Sequence, residues 1–575
     1  MASFFKYFPV AVIVAGCASA PNDSEYAPVT NQLRSEFASV ETAGSEYGSF
    51  VAATLAQNDS EFAASARYYL QALQVDPESK FVADKAFFQL LYAGQLDDAA
   101  AVAVDMAPEG EANEADDLVS IMFVLEAFKR KDWVMVRDRL ARTKISGFGG
   151  LMSPLLEAWS YVAEGDFAGA ERSLAPMMVD QRLKPIADEH RAYMLDHLQS
   201  FDLAQDQYLL LANAAQPISL QPFVSYAHML ARTGRIGEAR TFLGKQAERF
   251  DNNRFLLREG MLIAAGRTPS QPSASPHGAV GGMFYRLAGE FSRGSSPQAA
   301  VIYLRIASYL TPEVADIYFM LGNLMDQMGN PHAAAQVYGS VPATSALKPA
   351  ADERLINALR RADRVDEAEG KLRAALQDNP KNPSYLIALG DILRDREELA
   401  DAIILYTQAI ELNAQARRPD WFVYFARAAS YEQQDEWPKA EADFLRALEL
   451  SPKEPSVLNY LGYSWIDRGI NVVKAKGLIE QAVKQRPDDG FIVDSLGWVN
   501  FLTGDYKEAV ILLEKAVRME PDDATINHHL GDAYWRVGRR IEARFQWQHA
   551  LDSKPDSDEM TELLDKLDMG LPNES

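Results

Sequence analysis

Residues 281–557 repeat every 34 positions, and no other feature of the sequence restricts the fold as strongly. Segments starting at 281, 315, 349, 383, 421, 455, 490 and 524 place alanine at their twentieth position in all eight cases: Ala300, Ala334, Ala368, Ala402, Ala440, Ala475, Ala509 and Ala543, the 455 segment carrying one extra residue. The eighth position is Ala288, Gly322, Ile356, Gly390, Ala428, Gly462, Gly497 and Gly531, small in seven of eight. Position 27 is alanine or valine, and position 32 is proline six times, among them Pro452, Pro487 and Pro521. A mechanism accounts for this spacing. In LGDAYWRVGRRIEARFQWQHAL (530–551) apolar residues recur at helical spacing on both sides of Gly538, as two antiparallel helices joined by a turn require. Small residues at 8 and 20 let the helices cross closely, while Tyr534 and Trp547, at 11 and 24, fill the space between. The proline stops one helix and pre-sets φ for the next. A single pair leaves an apolar face bare, so its stability comes from stacked neighbours. The predicted fold is all-α, an α-solenoid of stacked antiparallel helix pairs.

This pattern resembles the tetratricopeptide repeat (TPR) family, whose signature stands here as Leu496, Gly497, Ala509, Ala516 and Pro521. The resemblance covers 281–557 and implies a TPR superhelix in two blocks. Upstream it is looser: 46–79 keeps Ala53, Tyr69, Ala72 and Pro77, GDFAGAERSL (165–174) and GRIGEARTFL (234–243) fit, and 114–147 and 185–219 are degenerate. The expected organisation is an N-terminal degenerate block at 46–264, a Gly/Pro/Ser linker at 265–280, a regular block at 281–557, and a capping helix and tail at 558–575. That cap, within DSDEMTELLDKLDMG (556–570), is expected to carry charged outer positions.

The only cysteine among 575 residues, Cys17, lies in VIVAGCASAP. One cysteine excludes an intramolecular disulfide and a thiolate metal cluster. Residues 1–17 combine Lys6, an apolar stretch and small residues, and Val14-Ala15-Gly16-Cys17 resembles the lipobox of a bacterial lipoprotein signal peptide. The resemblance implies lipidation at Cys17, a membrane contact through that anchor, and, with Ala18 and Ser19 following it, an outer-membrane location facing the periplasm. Two or three acyl chains, at about 0.8 kcal/mol per buried CH₂, suffice for stable anchoring. Residues 18–45 are polar, contain Pro21 and Pro28, and read as a tether. Beyond residue 17 no apolar run reaches the roughly 18 residues that cross a bilayer.

The formal charge is −24, from 57 Lys and Arg against 81 Asp and Glu, and there is no basic stripe; nucleic acid is therefore not an expected partner. No H-E-x-x-H, G-x-S-x-G, Walker A or dinucleotide fingerprint occurs. Adjacent His528 and His529 point about 100° apart on a helix and cannot share one ion. His190 and His197 lack a second ligand pair, so all four read as surface or interhelix residues. Asp488, Asp489, Asp522 and Asp523 fall in turns, where carboxylates cap helix N-termini. The chain is expected not to be an enzyme and to need no cofactor or metal.

What remains is a surface. The family resemblance places positions 2, 5, 9 and 12 of each first helix on the concave face. In the last three repeats this selects a partner-binding groove of Asn459, Tyr463, Phe491, Asp494, Trp498, Phe501, His528, Asp532 and Trp535. Large aromatics there offer contact area at low entropic cost, and the interleaved Asn, Asp and His suit a peptide backbone or basic side chains. The Lys/Arg/Asn clamp with which some members grip a C-terminal carboxylate is missing: the matching positions include Ile387, Asp391, Phe425 and Ala429. LNYLGYSWIDRG and DSLGWVNFLTGDYKEAV further resemble long TPR lipoproteins of Gram-negative outer membranes, including adaptors of periplasmic carboxyl-terminal processing proteases. That implies an adaptor or scaffold for a periplasmic protein or peptide; the alternative is a structural scaffold of an outer-membrane export or polysaccharide secretion machine. Self-association is left open.

Overall fold

The 34-residue period is realised as helix pairs. The structure is a computed structural model and describes residues 46–58, 60–106, 117–143, 147–214, 217, 219–267, 275–294, 296–555 and 557–571. These residues form thirty α-helices and no strand. The signal segment 1–17 with Cys17, the tether 18–45, and residues 268–274 and 572–575 lie outside the described residues.

All eight position-20 alanines are fully buried. The position-8 glycines answer to close approach rather than backbone freedom. A Cβ on Gly322 would lie 2.5 Å from the Tyr338 ring, on Gly390 2.8 Å from Tyr406, on Gly497 2.7 Å from Leu513, and on Gly531 2.3 Å from Trp547. Position 24 thus packs its large side chain directly on the backbone of position 8. The turn between the two helices is closed by a left-handed residue, a glycine at Gly504 and Gly538 (φ of 81° and 84°) but Asp363, Glu397 and Asp435 in three other repeats. Of the turn carboxylates, Asp489 accepts from the Ile492 amide at 3.2 Å and Asp523 from the Ile526 amide at 2.9 Å. Both satisfy otherwise orphaned amides at helix starts.

The chain divides into two compact units between Ala362 and Asp363, rather than at 265–280. The expected linker is partly helix: Ser275 caps Pro276–Arg293 by accepting from the Gly278 amide at 3.0 Å, and Pro276, Ala279 and Val280 are buried. The serine and prolines read as linker composition also suit an N-cap and first helical turn.

In the first unit the degenerate segments still form helix pairs, Asp117–Lys129 with Trp133–Arg142 and Lys184–His197 with Phe201–Ala212. The array also folds back on itself, which a nearest-neighbour stack does not require. The pair Pro276–Arg293 and Pro297–Leu310 packs on Lys80–Ala93, Leu96–Met106 and Gly147–Ala163. Arg286 pairs with the fully buried Glu189 (3.1 Å), which also accepts from the Tyr193 hydroxyl at 2.9 Å. Arg305 donates to the Tyr92 carbonyl at 3.0 Å, and the Lys129 ammonium donates to that of Tyr309. Both cations thereby meet carbonyls at the C-terminal end of a neighbouring helix, where the dipole is negative. Asn330 reaches the Ser60 carbonyl, 270 residues away, at 2.9 Å. His190 accepts from the Trp159 indole at 3.0 Å, and His197 sets its ring edge-on to the same indole, an interhelix role for both.

The second unit starts with Val365–Asp378 and continues through five pairs. The last three are Pro455–Asp467 with Val472–Gln485, Gly490–Leu502 with Tyr506–Met519, and Ala524–Arg536 with Arg540–Asp552. Ser557–Met569 closes the stack, burying Leu563 and Lys566. Its outer positions are mixed rather than charged, because Met560, Leu564 and Met569 stand exposed beside Asp565 and Asp568. Among the described residues no helix is long and apolar enough to cross a membrane, and no group of three or more His, Cys, Asp or Glu residues is placed to hold a metal ion.

Candidate partner-binding surface

The nine expected groove residues all lie on the first helices of the last three pairs, but the structure gives them three different roles. In the final pair they face the closing helix. His528 approaches Glu559 through Nδ1 at 2.8 Å and Lys566 through Nε2 at 2.6 Å. An ammonium only donates, so Nε2 accepts and Nδ1–H donates to the carboxylate. Asp532 accepts from Lys566 at 2.7 Å and from the Trp547 indole at 2.9 Å. Trp535 packs on Trp547 with centroids 5.3 Å apart, and its ring leaves no room for a Cβ at Gly570. These three residues, expected in an open groove, are covered by Ser557–Met569 and the turn that follows it. The position-9 carboxylate has a second internal use, since Asp391 likewise accepts from the Tyr406 hydroxyl at 2.8 Å.

In the middle pair, Asp494 and Phe501 are buried and act as supports. Asp494 bonds His529 Nδ1 at 3.0 Å. His529 carries Trp498 stacked 3.9 Å above it, and Trp498 in turn stacks on Phe501 at 4.7 Å. Burial by itself would lower the His529 pKa; the charge and hydrogen bond of Asp494, helped by Asp532 and Glu559, outweigh it and raise the pKa. His529 was not among the expected groove residues. The signal for it was available: a histidine one place after position 5 meets the position-5 carboxylate of the preceding repeat, 35 residues back.

Of the remaining residues, Phe491, Tyr463 and Trp498 reach solvent. Phe491 is 54% exposed, while Asn459, Tyr463 and Trp498 are half-buried. The Asn459 side-chain oxygen is shielded from solvent yet has no hydrogen-bond partner. The Tyr463 pKa is pushed up to about 12, first by burial and then by Asp494, Asp467, Glu559 and Glu432. Carboxylates from four helices therefore act on one phenol. The surface is aromatic, with acidic groups around it.

Models described as tetratricopeptide repeat match residues 354–419 and 421–454, and one described as TPR repeat matches 499–538. The TPR repeat-containing protein PA4667 of Pseudomonas aeruginosa is 31% identical over 192 residues, 33% of this chain and 32% of that protein. Bacteriophage adsorption protein A of Escherichia coli is 35% identical over 82 residues, 14% of this chain and 8% of that protein. The chain thus spans a third or less of the length of these curated relatives. Among solved structures, a tetratricopeptide repeat protein from Parabacteroides merdae is 19% identical with a TM-score of 0.36, covering 44% of this chain and 98% of that one. Cut9–Hcn1 of the APC/C is 14% identical with a TM-score of 0.40, covering 92% and 97%. Segments 354–419, 421–454 and 499–538 of this all-α stack of helix pairs thus match the tetratricopeptide repeat.

Proposed function

We propose that the protein is a lipid-anchored envelope protein that uses the first helices of its C-terminal repeats to bind a protein or peptide, as an adaptor for a periplasmic processing protease and its substrates. One observation carries the binding role. Phe491 is 54% exposed, and Tyr463 and Trp498, at the same register position of neighbouring first helices, are only half-buried. An isolated stack gains nothing from that arrangement, because exposed aromatic area costs free energy until a partner covers it. The anchor rests on the lipobox-like Val14-Ala15-Gly16-Cys17.

A photo-crosslinking side chain in place of Phe491, expressed in cells with intact envelopes, tests this reading. The expected adduct is a second periplasmic protein, a protease or its substrate, lost from the membrane fraction when Cys17 is replaced by serine. An adduct with an outer-membrane barrel would favour an export scaffold instead. Absence of any adduct would remove the binding role.

A further inference from the structure

We propose that the helix Arg254–Ala264 is a second membrane contact, lying on the surface of an anionic bilayer. The proposal rests on the anchored reading above and names the face of the first unit that meets the lipid. Arg254–Ala264 packs on Gln221–Arg232 and Ile236–Arg249, as the first helix of a further pair would. Among the described residues no second helix follows to complete that pair. The next helix, Pro276–Arg293, belongs to the pair that folds back on earlier helices. Of the eleven residues of Arg254–Ala264, Leu256 and Ile263 are buried. Phe255 is 41% exposed, Leu257 41% and Met261 66%, whereas the end of a run of repeats normally turns a polar face outward.

Charge decides what covers this face. Residues 254–267 carry Arg254, Arg258 and Arg267 against the single carboxylate Glu259, in a chain of net charge −24. Glu259 is turned inward, toward His228 at 3.4 Å, while Arg254 and Arg258 are exposed and form no ion pair among the described residues. At about 100° per residue, Leu257, Met261, Arg254 and Arg258 follow one another around the exposed side. Apolar and cationic groups thus share one face. On a bilayer the apolar side chains sink to the headgroup boundary, and the arginine stems lie along it with their guanidinium forks on lipid phosphates. A second copy in two-fold contact would instead set these arginines against their own kind. Eleven residues lie on a bilayer rather than cross it. So short a face binds weakly by itself, but a chain already anchored at Cys17 holds it at high local concentration beside the lipid.

The test uses the full lipidated chain in vesicles, with an environment-sensitive fluorophore on Met261→Cys or, as a control, on the exposed Glu508→Cys. In vesicles containing phosphatidylglycerol the label at 261 shifts to the blue and is quenched by nitroxide-bearing lipid; in phosphatidylcholine alone it is not, and the label at 508 responds in neither. Arg254→Gln with Arg258→Gln lowers the docked-to-free ratio about thirtyfold, at about fivefold for each arginine near an anionic surface. A label at 261 that stays in water overturns the proposal. So does a blue shift without quenching by lipid, which would mean that a protein covers the face, and so does equal quenching at 508. A chain that separates from the vesicles refutes the anchor alone. The same label, in a Cys17→Ser chain, is then read against vesicles added in excess, and the same outcomes decide.

Discussion

Replacing one glycine by alanine should have opposite effects at two helical positions of the second unit, and packing geometry sets the sign. At Gly531 a Cβ would lie 2.3 Å from Trp547 Cδ1 and 2.4 Å from Nε1. The indole would have to retreat by about 1.1 Å to reach the ordinary 3.4 Å contact, but it is fully buried and tied to Asp532 at 2.9 Å. Overpacking of this kind costs about 1–3 kcal/mol, and pulling the indole from a buried carboxylate adds roughly 1–3 kcal/mol. Alanine recovers only about 1 kcal/mol of helix propensity. Gly531→Ala should therefore destabilise the C-terminal repeats by about 1–5 kcal/mol. Gly370, inside Val365–Asp378, has nothing within 4 Å of its Cβ position. Gly370→Ala should stabilise by about 0.5–1 kcal/mol, from the conformational freedom removed. Hydrogen exchange of the helices Ala524–Arg536 and Arg540–Asp552, with urea melts followed by circular dichroism, reads both changes. If Gly531→Ala leaves exchange in these helices unchanged or slower, the close approach of positions 8 and 24 is not what the repeat requires.

Three further outcomes follow from buried charges. The folded-state pKa of His529 lies above its ordinary 6.5, so its contribution is complete below that value and is lost as pH rises through the raised one; stability of the last two pairs should fall over that window, and His529→Gln should flatten the profile in urea melts. His190 behaves oppositely, since burial and Arg286 hold its pKa down to about 3. The first unit should lose stability as pH falls from 6.5 toward 3, and His190→Asn should reduce that loss in acid unfolding followed by near-UV circular dichroism. Arg286→Ala strands the buried carboxylate of Glu189 and should cost the first unit about 3–5 kcal/mol. Proteolysis around 265–280 should accelerate, and adding Glu189→Gln should restore much of the protection.

The 34-residue alignment determined the helix pairs because their packing is local. Positions 8, 20 and 24 meet within one repeat, and the eight alanines from Ala300 to Ala543 are buried as their register demands. Even the degenerate segments around Asp117–Arg142 and Lys184–Ala212 kept enough helical spacing to pair. The period marks which face of a helix is apolar, but it carries no information about what lies against that face from outside the period. Contacts such as Arg286 with Glu189 and Asn330 with Ser60 join residues many repeats apart, so only the tertiary structure could close the first unit on itself. The same limit applied to the groove. Sequence placed His528, Asp532 and Trp535 on the right helix, and tertiary packing set Lys566 and Gly570 against them. Phe491, Tyr463 and Trp498 were left toward solvent, because burial depends on which later segment arrives and not on the residue's own position in the repeat.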